Sequence, residues 1–114
     1  MHGGILRAGA LTALTFLAGA CSSTEAGAKI YRDSGCIRCH GDNRQGTGFG
    51  PPLQGLSSSW TRDQLVQYLN DPRAFIESTP RLKELSTRYS VTMPGFAYLD
   101  EKKRSDLAFF LLSR

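Results

Sequence analysis

Two thiols and an imidazole stand within five consecutive residues, Cys36-Ile37-Arg38-Cys39-His40. Three chemistries use such a set. A C-x-x-C pair can be a redox dithiol, two cysteines and a histidine can contribute to a structural zinc site, and C-x-x-C-H is the attachment signature of a c-type haem. Cysteines at i and i+3 lie on one side of a helical turn, so both thiols can reach the two vinyl groups along one haem edge. His40, next in the chain, can then carry its imidazole beneath the ring to the iron. The dithiol reading lacks its usual βαβ setting. The zinc reading lacks a fourth ligand, because the other histidine of the chain is His2, at its start. One covalently attached haem c on Cys36, Cys39 and His40 is the expectation.

Haem iron takes its remaining axial ligand from His, Met, Cys or Tyr. His2 and Met1 fall in a segment expected to be removed, and both cysteines of the motif are used. Met93 remains, in the loop Thr92-Met93-Pro94-Gly95. Methionine is commonly core filler, but a solitary one in such a loop reads better as a ligand. Tyr68 is a weaker candidate, expected beside the haem with its hydroxyl near the methionine sulfur. Filling both axial positions leaves the iron one-electron exchange and no substrate site. A thioether ligand in an apolar pocket favours the reduced state. The expectation is an electron carrier, a shuttle or a subunit of an oxidoreductase complex, and not an enzyme in its own right. The competing reading is a haem-based ligand sensor or peroxidase-like enzyme with a labile Met93. No distal histidine or other general acid–base candidate supports it.

The elements that must position these residues read as helices. A short helix is expected from about Gly27 to Asp33, carrying Ile30 and Tyr31 towards a core. Glycines and prolines from 41 to 59 mark a loop. Thr61 with Gln64 makes a capping box, followed by Leu65, Tyr68 and Leu69 at helical spacing. Asp71-Pro72 ends that helix, since the residue before proline is pushed from the α region. Pro80 opens another, to Tyr89, with proline at the first helical position. A loop, 90–97, carries Met93, and a last helix runs from near Asp100 to Leu112. No strand-like alternation of useful length occurs. The fold class is all-α, with 27–114 as one domain.

Residues 1–20 belong to another class. Arg7 precedes an apolar run, Ala8 to Ala18, too short to span a bilayer and suited to a secretory signal. Ala18-Gly19-Ala20 satisfies the small-residue cleavage rule. The same stretch before Cys21 resembles a bacterial lipobox, with Leu17 one place earlier than usual, and Ser22-Ser23-Thr24 suits a polar tether over 21–26. The chain is thus expected to be exported, to the periplasm or the outer face of a membrane, anchored by lipid on Cys21. A free or removed Cys21 is the plainer alternative.

The 114 residues allow one domain with a thin core, a size at which cofactors often assist folding. The net charge of +4 falls by one when Arg7 is removed, and two haem propionates bring it near neutral. That is not the charge of a nucleic-acid binder, and no small-molecule substrate is implied. Lys102-Lys103-Arg104, with Arg81, Lys83 and Arg88, offers a surface for an acidic redox partner protein. Ordinary solvated helix faces are the simpler reading.

Over nearly all of 27–114 these residues resemble the monohaem class I cytochromes c, including the mitochondrial type. Gly27-Ala28-Lys29-Ile30-Tyr31 is similar to the family's N-terminal helix, and Asp106 to Leu111 to its terminal helix. The resemblance implies that the two cross, Phe110 packing against Gly27, with helices and loops wrapped around the haem. Gly50-Pro51-Pro52-Leu53 matches the loop whose first proline accepts a hydrogen bond from the ligand histidine, which implies that role for Pro51 towards His40. Trp60, Leu65, Tyr68, Leu69, Pro72 and Phe75 follow the mitochondrial pattern, implying that Trp60 bonds a haem propionate and that Tyr68 lies beside Met93. The interval from Phe75 to Met93 is longer than in the mitochondrial type, and the 80–89 helix fills it.

Overall fold

A computed structural model describes residues 3–4, 9–10 and 19–114, the side chains of 19–22 excepted. The expected signal run from Ala8 to Ala18, apart from residues 9–10, and the side chain of Cys21 lie outside the described residues.

Among the described residues six helices occur in chain order: α1 (Gly19–Asp33), α2 (Ile37–His40), α3 (Arg62–Asn70), α4 (Pro72–Ser78), α5 (Pro80–Ser86) and α6 (Glu101–Leu112), with a 3₁₀ turn at Leu56–Ser58. Among the described residues there is no strand, only an isolated bridge between Thr47 and Gly50. The fold is all-α, as the spacing of apolar residues predicted. No helix among these residues is long and apolar enough to cross a membrane.

Two boundaries differ from the sequence reading. The stretch 21–26, expected to be an irregular tether, is helical, and α1 begins at Gly19 instead of near Gly27. Nothing in 20–26 interrupts a helix once α1 has formed: there is no proline, and Glu25 and Ala26 are good helix formers. Asp71-Pro72 ends α3 but also starts α4. The Asp71 carboxylate accepts from the Ala74 amide at 3.1 Å, and Pro72 occupies the first helical position, where it has no amide to lose. One aspartate thus closes a helix and caps the next.

The predicted capping box of α3 is complete. Gln64 N–H donates to the Thr61 hydroxyl at 3.2 Å and the Thr61 amide donates to the Gln64 side chain at 2.9 Å. Asp100 caps α6 through the Lys103 amide at 2.8 Å. The inserted helix α5 stops at Ser86, short of Tyr89.

The core sits where α6 crosses α1 and α3. Tyr31, Leu69 and Leu107 are its most completely buried large side chains. At the α1/α6 crossing, a Cβ on Gly27 would lie 2.2 Å from the Asp106 carbonyl oxygen and 2.5 Å from the Phe110 Cβ. Glycine in mid-helix costs about 0.5–1 kcal/mol relative to alanine. Here it is the residue that lets the two backbones meet.

Candidate haem site

A single helical turn, α2, presents the motif. Cys36 precedes it and is buried, Cys39 is half-buried, and both are free thiols. Burial pushes the Cys36 thiol up to about 11, so it stands as a neutral S–H. Glycines hold the neighbouring loop flush against this turn. A Cβ on Gly50 would lie 2.9 Å from the Cys39 carbonyl oxygen, and Gly41 ends the turn at φ 86°, in the region glycine adopts most readily.

His40 is buried, and its Nδ1–H donates to the Pro51 carbonyl at 2.8 Å. A carbonyl can only accept, so the proton is on Nδ1 and the Nε2 lone pair is available as a ligand. Burial lowers the His40 pKa, opposed by the bond to Pro51. Burial thus favours the neutral form of the imidazole, the form that can coordinate a metal. Further bonds fix the loop that carries Pro51: the Gly46 amide donates to the His40 carbonyl at 2.8 Å and the Leu53 amide to the Arg44 carbonyl at 2.9 Å.

Met93 lies half-buried in the loop between α5 and α6 and packs on the core. The Tyr68 hydroxyl donates to its sulfur at 3.3 Å. A thioether sulfur has two lone pairs, so this bond leaves one free. The loop is pinned by the Phe96 amide, which donates to the Leu69 carbonyl at 2.7 Å. Trp60, Tyr68 and Phe75 form an aromatic cluster, with Trp60 edge-on to Tyr68 at 5.2 Å and stacked on Phe75 at 5.5 Å.

Cys36, Cys39, His40, Pro51, Trp60, Tyr68 and Met93 all line one cavity of about 750 Å³. Its lining is mainly apolar, with Leu56, Leu69 and Leu107 among the rest. The residues suit a haem on three counts. The volume lies in the range of cofactor sites, the thiols are free, and His40 and Met93, each with an unused lone pair, line the same space. Among the described residues no three His, Cys, Asp or Glu side chains are grouped to hold a metal ion.

Three contributors escaped the sequence reading. Tyr31 was expected only as core, yet its hydroxyl donates to the Gly41 carbonyl at 2.6 Å, just after the motif. Arg44 adopts φ 59° and sends its guanidinium to the carbonyls of Phe110 at 3.0 Å and Ser113 at 2.9 Å, while stacking on the Phe110 ring. Arg81 of α5 stands 4.8 Å over Trp60 and donates to the Ser59 carbonyl at 3.2 Å. Arginines reaching the far end of a chain or an adjacent turn leave no periodic signal. The basic run of α6 is partly occupied: Lys102 pairs with the buried Asp106 at 2.9 Å, and Arg104 donates to the Leu99 carbonyl.

Comparison with known proteins agrees with this architecture. The family model described as Cytochrome c matches residues 24–114, a span from within α1 to the end of the chain. No curated protein and no solved structure matches the chain. With a helical fold around a haem-sized cavity and a family match over most of its length, this chain belongs to the cytochrome c family of haem-binding electron-transfer proteins.

Proposed function

We propose that this chain is a monohaem, class I one-electron carrier whose haem c is joined to Cys36 and Cys39 and ligated by His40 and Met93. Attachment adds each S–H across a vinyl double bond, so the thiol proton moves to carbon and no oxidant is needed. The bound haem supplies an Fe(III)/Fe(II) couple.

The observation that carries the reading is the pairing of the two prospective ligands with their supports in one cavity. Pro51 holds the proton on His40 Nδ1, which raises the basicity of the opposite nitrogen and keeps the ring oriented. Tyr68 orients the Met93 sulfur from the other side. Two donors prepared in this way favour a closed coordination sphere. Such a sphere suits electron transfer, with little reorganisation and no place for substrate. The apolar lining around the iron favours the reduced state, in which the iron–porphyrin unit, its propionates apart, is neutral.

The carrier works at the outer face of a membrane, in the periplasm, held by lipid on Cys21. It passes electrons singly between a donor and an acceptor protein as a tethered shuttle or as part of a respiratory complex. Basic side chains at the start of α6 favour an acidic partner.

Mass spectrometry of the native protein tests the covalent part, since it reports haem mass, N-terminus and lipid together. Optical spectra test the ligands. A weak far-red sulfur-to-iron band in the oxidised protein is expected, with no ready binding of carbon monoxide or cyanide. Loss of that band together with ready ligand binding would instead support a sensor or peroxidase-like protein.

A further inference from the structure

We propose that Arg81 and Lys83, on the inserted helix α5, form the carboxylate-binding end of the cavity, where they hold the haem propionates and raise the reduction potential. This rests on the haem reading above and assigns a task to the segment by which the chain departs from the mitochondrial pattern.

The chemistry of the ring sets its polarity. The vinyl groups lie on one edge and the two propionates on the opposite one, so attachment at Cys36 and Cys39 turns the carboxylates away from α2. Four cationic side chains line the cavity: Arg38, Arg73, Arg81 and Lys83. Arg38 stands between the two cysteines and belongs to the thioether edge. Arg73 is engaged by Glu77 at 3.6 Å. Arg81 and Lys83 are left, and neither has an ion-pair partner among the described residues.

Arg81 is also prepared for the task. Its guanidinium is fixed over the Trp60 ring and spends one N–H on the Ser59 carbonyl. A guanidinium carries five donors in a planar fork matched to a carboxylate, so most remain unused. Stacking holds that plane beside a tryptophan that itself lines the cavity, and little side-chain entropy is left to lose on binding. Arg81 and Lys83 are both exposed, so they stand at the mouth of the cavity, where a carboxylate leaving the apolar interior gains a cationic partner. Cations beside the propionates also stabilise the added electron. The ferric centre with two propionates carries a net charge of −1 and the ferrous centre −2, so each neighbouring positive charge favours reduction.

The test uses the haem-loaded protein and four variants: Arg81→Gln, Arg81→Lys, Lys83→Gln and, as a control, Arg88→Gln, whose side chain pairs with Glu84. Reduction potentials are measured by spectroelectrochemical titration from pH 5 to 9 at low salt. Arg81→Gln should shift the Fe(III)/Fe(II) ratio about two- to fivefold towards ferric, a fall of about 20–40 mV at 59 mV per tenfold. The pH-dependent step of the potential should move to higher pH as a propionate loses its cation. Lys83→Gln should act in the same direction but less, Arg81→Lys should keep most of the potential, and the control should match the parent. Should Arg81→Gln fail to retain haem, Lys83→Gln carries the test alone. An unchanged potential and pH profile in both Gln variants overturns the proposal, even if the salt dependence of partner reduction changes. So does an equal fall in Arg81→Gln and Arg81→Lys, which would point to the stack instead of the charge. A parent protein without covalent haem refutes the functional reading itself, and mass alone detects that.

Discussion

Gly27 and Asp106 touch through backbone: the space that a Cβ of Gly27 would fill lies 2.2 Å from the Asp106 carbonyl oxygen. No side-chain rotation relieves such a contact, because one partner is main chain and the other is a helix interior. The crossing of α1 on α6, and with it the burial of Tyr31 and Leu107, depends on a hydrogen atom at this position.

Gly27→Ala should therefore cost about 1–3 kcal/mol by overpacking, although alanine is the better helix former. Urea denaturation of the haem-loaded protein checks the sign. A variant as stable as the parent would mean that the helices separate without loss.

Arg44 combines a left-handed backbone with a guanidinium that caps α6 at the Phe110 and Ser113 carbonyls. Arg44→Ala removes the cap and keeps the backbone conformation, whereas Arg44→Gly removes the cap and relaxes it. Both should be destabilised, by about 1.5–3 kcal/mol for the lost charged hydrogen bonds, with glycine the milder by about 1 kcal/mol. Thermal melts of the pair, read against the parent, separate the two effects.

Tyr31 ionises late because of its burial, at about 12 against the ordinary 10.0. A raised phenol pKa gives stability that is whole below pH 10 and lost as pH rises towards 12, since only the unfolded chain releases its proton in that window. Stability against pH should fall there in the parent. Tyr31→Phe should flatten that fall while costing about 1 kcal/mol at neutral pH, from the lost bond to the Gly41 carbonyl.

With Met93 as ligand, Tyr68→Phe should lower the reduction potential. The O–H···S bond draws electron density from the sulfur, and its loss makes the thioether a stronger donor to ferric iron. The packing on Trp60 and Phe75 survives the change. A potential that rises, or does not move, would show that the hydroxyl does not act on the ligand sulfur.

Much of this architecture was legible because its signals are local. The Thr61–Gln64 capping box, the apolar spacing of Leu65 and Leu69, and the C-x-x-C-H turn each lie within a few residues and carry their own geometry. The start of α1 was misjudged because serines and a threonine read as tether, yet they propagate a helix that packing has already nucleated. The helix α4 was missed because Asp71-Pro72 was read in one direction only, as a stop. The same pair is a cap followed by a first-turn proline. The contacts of Arg44 and Arg81 were beyond reach. Their targets, carbonyls of Phe110 and Ser59, lie 66 and 22 residues away, and a carbonyl has no letter in the sequence.

The bond between His40 and Pro51 spans 11 residues, and this short span bears on the order of assembly. Closing a loop of about ten residues takes about 10–100 ns, so the histidine side can organise while the rest of the chain is still unfolded. Met93 has no such local support. Its loop is anchored by the Phe96 amide on the Leu69 carbonyl and must await α3. On the function proposed above, the chain would meet its haem with His40 already oriented beside Cys36 and Cys39, and Met93 would arrive only as the last helices dock.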